Sequence, residues 1–260
     1  MGDMTDTLVT GSIVTFNNIS TIETTLRTLR EHTRGVRFHL YVIDNSSHDG
    51  TLDFVKDADP DAELLRIPWN VGFGAGHNLV LPRLRSRYHA VINPDITLAE
   101  DAITKMALYM DAHPEVALLS PRVVFPGTNE PQILGKRNPT LKYLLASRLR
   151  RGALAKKILA EYAMLDRDDA EPFEIENATG CFMFARTEAL RKIGGFDERF
   201  FLYFEDCDLA RSIAGEGKVL YYPQAVVEHE WKRESKKNFR LALVQIQSMI
   251  KYFWKWRGKK

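Results

Sequence analysis

Cysteine is scarce in this chain: among 260 residues only Cys181 and Cys207 occur. Two cysteines build neither a disulfide framework nor a Cys-x-x-Cys metal pair, which suits a reducing compartment. Long apolar runs are absent too; none reaches the roughly 18 residues of a membrane span. The start, Met1–Thr7, is polar and acidic, unlike the cationic and then apolar opening of a signal peptide. These absences lead to the expectation of a cytoplasmic protein. A charge surplus is missing as well. Lys and Arg total 36 against 34 Asp and Glu, a net charge of +2, so the molecule as a whole is no polyanion binder. With no recognised nucleic-acid motif in the basic stretches, no nucleic-acid partner is expected. No Gly-x-Ser-x-Gly marks an activated serine. What remains is ordinary globular composition, 45% hydrophobic and 27% charged, in a chain long enough for a sizeable core.

The first half alternates strand and helix patterns. Leu8–Phe16 is rich in β-branched residues and reads as a buried strand. Ile19–His32 places Ile22, Leu26 and Leu29 at helical spacing. Val36–Ile43 is a second strand that runs into a polar turn, where Asp49 or Ser47 can cap a helix over Thr51–Ala58. Glu63–Ile67 and Tyr88–Ile92 are further strands, Asp101–His113 a helix, and Val116–Ser120 a strand closed by Pro121. This alternation predicts a doubly wound, parallel sheet with right-handed crossovers.

Two motifs interrupt it. Asn70–Asn78 (NVGFGAGHN) has three glycines in five residues, followed by a predicted helix over Asn78–Arg87. Such a loop lets a backbone approach an anionic ligand, or simply makes a tight turn. It is no dinucleotide fingerprint, because it follows the third strand and lacks the third glycine at the required offset. Then Ala90–Ile96 (AVINPDI) is an apolar strand that stops at Pro94 and presents Asp95 at its carboxyl end. Open α/β sheets hold their ligands in that crevice, and an oxygen ligand there can share a divalent cation with a diphosphate. Taken alone, Asn-Pro-Asp is also a common turn.

The second half begins with Gly135–Lys157, which carries eight Lys and Arg and no acidic residue, with leucines between them. An acidic stretch follows, up to Glu176. The shift reads either as a solvated helix and loop or as a surface for anionic phosphates or lipid headgroups. Asn177–Ala185 returns to strand composition with Gly180 inside it, a sign of close approach. Arg186–Ile193 is a short helix. In Phe196–Leu209 aromatics surround Glu205, Asp206 and Asp208. Carboxylates crowded beside apolar rings should raise at least one pKa, which makes a candidate general base. Lys218–Tyr222 and Val226–Trp231 read as strands, the latter bearing His229, either structural or a metal ligand facing Asp95. Lys232–Lys260 is basic and amphipathic. It reads either as a helix lying in an anionic membrane surface or as a C-terminal helix packed on the domain.

Taken in order, IVTFN (Ile13–Asn17), VIDNSSHDGT (Val42–Thr51), NVGFGAGHN, NPD (Asn93–Asp95), Gly180 and GGFDERFFLYFEDCDL (Gly194–Leu209) resemble the family 2 glycosyltransferases, with the rhamnosyltransferase-like branch most similar. The resemblance spans nearly the whole chain. It implies an α/β GT-A fold: a Rossmann-like mixed, mostly parallel sheet flanked by helices, here followed by an amphipathic helical tail. The GT-A domain would occupy residues 1–231, with a nucleotide-binding half over 1–122, the basic and acidic insertion over 135–176, an acceptor and catalytic half over 177–231, and the tail over 232–260.

In such a family Thr15, Asn17 and Asp44 bind the nucleobase and ribose, and Asn70, Gly72 and Asn78 line the nucleotide pocket, with Gly180 beside them. Asn93 and Asp95 match an Asp-x-Asp motif whose last carboxylate holds Mg²⁺ or Mn²⁺. The first Asp is Asn93 here, which keeps a ligand oxygen and loses a charge. His229 would complete the metal site. Asp206 matches the catalytic base, with Glu205 the alternative. The implied reaction is inverting transfer of a sugar, foremost L-rhamnose from dTDP-L-rhamnose, from a nucleotide-diphosphate donor to a glycan or lipid-linked glycan. UDP-glucose, UDP-galactose or UDP-GlcNAc are the alternative donors, and a non-catalytic nucleotide-sugar binding module the alternative class. A sugar nucleotidyltransferase would need a Gly-rich basic loop after the first strand, where Phe16–Asn17–Asn18 stands. The expected location is cytoplasmic, at the inner face of the membrane.

Overall fold

The computed structural model describes residues 5–149, 152–230 and 239–259, with only the backbone of residues 5–7. The first four residues, Arg150, Arg151, Trp231, the Lys232–Asn238 part of the tail and Lys260 lie outside the described residues.

One sheet organises the chain. Strands β1 (Thr5–Thr15), β2 (Val36–Asp44), β3 (Glu63–Arg66) and β4 (Tyr88–Ile92) stand side by side in the order β3-β2-β1-β4, all parallel. Helices α1 (Ile19–His32) and α2 (Thr51–Ala58) make the crossovers. Ile22, Leu26 and Leu29 of α1 are buried against the sheet, as their spacing predicts. The sheet then continues through β8 (Phe182–Arg186), antiparallel to β4, to β6 (Val116–Val124), β9 (Lys218–His229) and the two-residue β5 (Ile96–Thr97). A short β7 (Phe173–Glu174) pairs with β9. Helix α4 (Ala102–Ala112) starts at Asp101, whose carboxylate accepts from Thr104 N–H.

Several elements differ from expectation, each for a local reason. Asn78–Arg87 is not a helix. Helix α3 (Phe73–Asn78) lies inside the glycine-rich stretch, and only a single 3-10 turn, Leu81–Arg83, follows. Pro82 lacks the N–H and would clash with the carbonyl four residues back. Neither Ser47 nor Asp49 caps α2; Gly50 stands at that position in a left-handed conformation. Asp49 instead accepts from Thr51 N–H and from Ile19 N–H, joining the starts of α2 and α1. Pro121 does not close β6, because a register shift between Pro121 and Arg122 absorbs it. The last two predicted strands are one, β9. Residues 177–181 are a loop rather than strand. The basic insertion folds into two helices, α5 (Leu141–Leu149) and α6 (Ala153–Tyr162).

Helices α7 (Thr187–Ile193) and α8 (Glu205–Ile213) cover the other face of the sheet, and α9 (Phe239–Lys255) closes the chain. Helix α9 packs on the domain, as one of the two readings of the tail expects. Its Tyr252 is buried in a cluster with Phe200, Phe204 and Cys207. Among the described residues no helix is long and apolar enough to cross a membrane.

A buried polar chain crosses this core. His89 of β4 sits between Thr10 Oγ1 at 2.8 Å and Ser12 Oγ at 2.8 Å, and Ser12 Oγ continues to His77 Nδ1 of α3 at 2.7 Å. Burial holds both imidazoles neutral: His89 is pushed down to about 3, and His77 falls well below the ordinary histidine range, with His89 a lesser cause. The unfolded chain takes up protons below pH 6.5 that the native state refuses, so stability drops as pH falls, by about 1.4 kcal/mol per pH unit for each histidine. Buried Glu205 acts with the opposite sign. Its pKa is raised by burial and then by Asp206, so it favours the native state increasingly as pH falls toward 4.5. Urea unfolding between pH 7 and pH 5 separates the two effects. His89→Gln should flatten the dependence by about one proton's slope whatever it does to absolute stability.

Candidate active site

Asp95 and His229 come together because of β5. Pro94 ends β4, and the chain turns at once into Ile96–Thr97, whose Ile96 registers opposite His229 on β9. Asp95 accepts from Glu230 N–H through its carbonyl. Its Oδ1 lies 3.5 Å from His229 Nε2, too long for a good hydrogen bond, and this buried oxygen has no donor among the described residues. The other imidazole nitrogen, Nδ1, is 3.3 Å from Gln132 Oε1, while Gln132 Nε2 donates to His229 O at 2.7 Å. Gln132 thereby fixes the ring so that Nε2 faces Asp95.

An orphaned carboxylate oxygen facing an imidazole nitrogen suits a divalent cation, since neighbouring ligands on one ion of this kind stand about 3 Å apart. Among the described residues no group of three or more His, Cys, Asp or Glu could hold a metal. The protein offers two ligands, and Mg²⁺-type ions commonly take the rest from substrate phosphates and water.

Asp206 is presented by a strained turn. Tyr203 and Phe204 both adopt left-handed backbone, with φ of 69° and 67°, immediately before α8 begins at Glu205. Such conformations cost on the order of 1–2 kcal/mol each and persist only when the surroundings enforce them. Here Phe204 is locked into the cluster with Phe200 and Tyr252. Asp206 Oδ2 accepts from Gly180 N–H at 3.0 Å and Oδ1 from Cys207 N–H at 2.8 Å. A Cβ on Gly180 would stand 3.1 Å from Asp206 Cβ, so the close approach read into this glycine is that of a side chain of the protein itself.

The Gly180–Cys181 segment links the two carboxylates, and the candidate crevice is the space they border. The loop that holds Asp206 through Gly180 continues to Cys181, whose carbonyl accepts from Asn93 N–H at 2.9 Å. The buried Cys181 thiol is pushed up by burial, then by Asp95, then by Asp206, so both charges bear on it. Glu205 and Asp208 do not share that setting. Glu205 is buried with its Oε2 unpartnered, and its pKa is well above the usual carboxylate range. Asp208 is tied to Lys255 Nζ at 2.7 Å and Trp256 Nε1 at 2.8 Å. The carboxylate cluster in the sequence is therefore split three ways by the helix.

The predicted nucleotide residues fall in two groups. Thr15, Asn17 and Asp44 meet at the carboxyl ends of β1 and β2. Asp44 is fully buried and accepts from Ser47 N–H at 3.2 Å, and Asn17 Oδ1 accepts from His48 N–H at 2.8 Å. Asn70 and Gly72 are joined to this end by Asn45, which donates to Asn70 Oδ1 at 2.8 Å and accepts from Val71 N–H at 2.9 Å. Gly72 has φ of 94°, and a Cβ there would lie 2.2 Å from Phe201 O, so the loop is pressed against the segment that leads to Asp206. Asn78 clamps α3 to Phe196, donating to Phe196 O and accepting from Phe196 N–H, both at 2.8 Å. Sequence reasoning missed Asn45, which stands inside the Val42–Thr51 motif without being singled out there, and Gln132, which belongs to no motif; both amides act through other residues.

Beyond the 131–135 segment that carries Gln132 lies a cavity of about 800 Å³ walled mainly by apolar residues, among them Ile133, Leu134, Leu144, Leu159 and Tyr162. The Tyr162 hydroxyl is pushed up by burial, with Cys207 and Asp206 as lesser causes, so this cavity adjoins the Asp206 side of the crevice.

A parallel half-sheet with a glycine-rich loop at its carboxyl ends, a carboxylate–imidazole pair and a second carboxylate nearby describe a layered α/β protein of the kind that holds ligands at its strand ends. The profile of Glycosyl transferase family 2 matches residues 12–194, and the chain belongs to that family. It is 26% identical over 207 residues to an N-acetylglucosaminyl-diphospho-decaprenol L-rhamnosyltransferase of Mycobacterium tuberculosis, covering 72% of this chain and 64% of the relative. The chain thus spans somewhat less than two thirds of that protein's length. Among solved structures it superposes on the mannosyltransferase PcManGT from Pyrobaculum calidifontis in complex with GDP-Man and Mn²⁺, with TM-score 0.65, 18% identity and coverage of 96% of this chain and 64% of that one. It also superposes on GalNAc-T7 with UDP, GalNAc and Mn²⁺, with TM-score 0.64, 14% identity and coverage of 88% and 45%. The fold is that of the GT-A glycosyltransferases.

Proposed function

We propose that this chain is a metal-dependent, inverting hexosyltransferase that moves L-rhamnose from dTDP-L-rhamnose to a hydroxyl of a glycan or lipid-linked glycan. The observation that carries the reading is that the Gly180–Cys181 segment joins Asp206 to the loop bearing Asp95 and its partner His229. The rhamnose preference is supported by the L-rhamnosyltransferase relative, and a lipid-linked acceptor by the apolar cavity on the Asp206 side. A cytoplasmic site of action, at the inner face of the membrane, is part of the same reading.

Asp206 accepts the proton of the acceptor hydroxyl. The oxygen forms its bond to the anomeric carbon as the bond to the nucleoside diphosphate breaks on the opposite face, and the diphosphate leaves with the electron pair. The two backbone N–H groups on Asp206 hold its carboxylate in place for that transfer. Gly72 and Asn70 bring backbone close to the donor, and Asn45 sets their position. Asp95 and His229 would hold Mg²⁺ or Mn²⁺, which when bound neutralises charge developing on the departing diphosphate. The neighbours that hold GDP-Man and UDP keep other nucleotide sugars as the alternative donors.

Thermal unfolding with a panel of nucleotide sugars, each with Mg²⁺ or Mn²⁺, tests the donor. A donor at 100 times its dissociation constant adds about 2.7 kcal/mol, a shift of roughly 5 °C or more for a chain of this size. The largest shift is expected for dTDP-L-rhamnose. A larger one for UDP-glucose, UDP-galactose or UDP-GlcNAc replaces the donor, and a shift without transfer to any acceptor makes the chain a binding module.

A further inference from the structure

Helices α5 and α9 border one shallow groove, lined by Leu141 and Leu145 from the first, Ile246 and Met249 from the second, and Phe204. Helix α9 has two apolar faces. Ser248 and Tyr252 point inward and are buried. Leu243, Ile246, Ile250 and Trp254, spaced by three or four residues and so on one side of the helix, are between 40% and 60% exposed. Leu141, Leu145 and Leu149 form the matching stripe on α5, each more than 60% exposed. Together with Leu154 and Phe239, these make nine of the seventeen exposed large apolar residues among those described, so the exposed apolar surface is concentrated here rather than scattered.

Charge selects the occupant. Neither helix contains an acidic residue. Arg148 is exposed beside the α5 stripe, and Arg257, whose guanidinium lies 4.8 Å from the Trp254 ring centre, and Lys259 are exposed at the far end of α9. Apolar residues with a tryptophan at one end and cations at the rim are what an interfacial helix presents to anionic headgroups.

We propose that the outer faces of α5 and α9 together form a docking surface for an anionic lipid bilayer. The surface is composite: the C-terminal helix anchors to the domain through one side and offers the other to lipid alongside α5. Phe204, which lines the groove, immediately precedes Glu205 and Asp206, so docking holds the Asp206 side of the crevice close to the bilayer. The inference rests on the membrane-face location in the proposed function; vesicle binding, measured without turnover, can fail separately from sugar transfer.

The test is co-sedimentation of the full chain with vesicles of phosphatidylcholine alone and with about 30% phosphatidylglycerol added. Binding to the anionic vesicles should be at least about tenfold tighter and should weaken in high salt. Ile250→Glu, and separately Leu145→Glu on the other helix, should each weaken it about tenfold while size-exclusion elution and the melting temperature stay unchanged. Absence of vesicle binding, equal binding to both compositions, or full binding by both variants overturns the proposal. So does a wild-type dimer that these variants dissociate, which would make the face a protein interface. If either glutamate variant fails to fold, charge reversal by Arg257→Glu at the rim must still reduce anionic binding, and unchanged binding by it overturns the proposal equally.

Discussion

Asp206→Asn should lower turnover by about 10³-fold and leave donor affinity within about twofold, because a positioned general base contributes 10²–10⁴-fold and the amide cannot take a proton. The substitution is isosteric, and the Gly180 N–H that now donates to Oδ2 can still reach the amide oxygen. The neighbouring carboxyl cannot replace it. Glu205 is buried, its Oε2 meets no partner, and its pKa is lifted well above the ordinary range by burial and by Asp206, which favours the protonated form that cannot act as a base. Glu205→Gln should therefore cost less than about tenfold in turnover. Steady-state kinetics on both variants decides the assignment. Equal losses, or a larger loss at Glu205, would move the base by one residue.

The second large effect is expected at the other side of the crevice. Asp95→Ala removes the orphaned oxygen that faces His229, and metal-dependent affinity for the donor should fall by about 10²-fold or more. His229→Ala should weaken it less, about 10-fold, and Gln132→Ala should act in the same direction through the imidazole it orients. Asn93 gives a test with the opposite sign. Asn93→Asp restores a charge to the loop before Asp95 and should tighten Mn²⁺ binding several-fold. Calorimetric titration of Mn²⁺ with the nucleoside diphosphate measures all four. If Asp95→Ala binds as the wild type does, the ion is held elsewhere.

The parallel half of the fold was legible because β-branched strands, the Ile22–Leu26–Leu29 stripe and Pro94 each act locally. What the sequence hid depends on contacts between distant segments. The three carboxylates from Glu205 to Asp208 read as one cluster, but a helix turns successive side chains through about 100°, sending one into the core, one toward Gly180 and one to Lys255. Asn78 ends a glycine-rich motif, and its amide is engaged by Phe196, 118 positions away. Gln132 and Asn45 act through other side chains; Asn45 sits in a quoted motif, but its partners Asn70 and Val71 lie 25 and 26 positions away. The tail displayed its amphipathicity plainly; that it has a second apolar face, shared with α5, is visible only once Tyr252 is seen buried beneath it.

The most direct measurement is the anomeric configuration of the transferred sugar, read by NMR on product made from dTDP-L-rhamnose or whichever donor the panel selects. The account places one base on the acceptor side and no covalent intermediate, so the new linkage must have the configuration opposite to that of the donor. Retention of configuration, or release of nucleoside diphosphate with no glycoside formed, would contradict it.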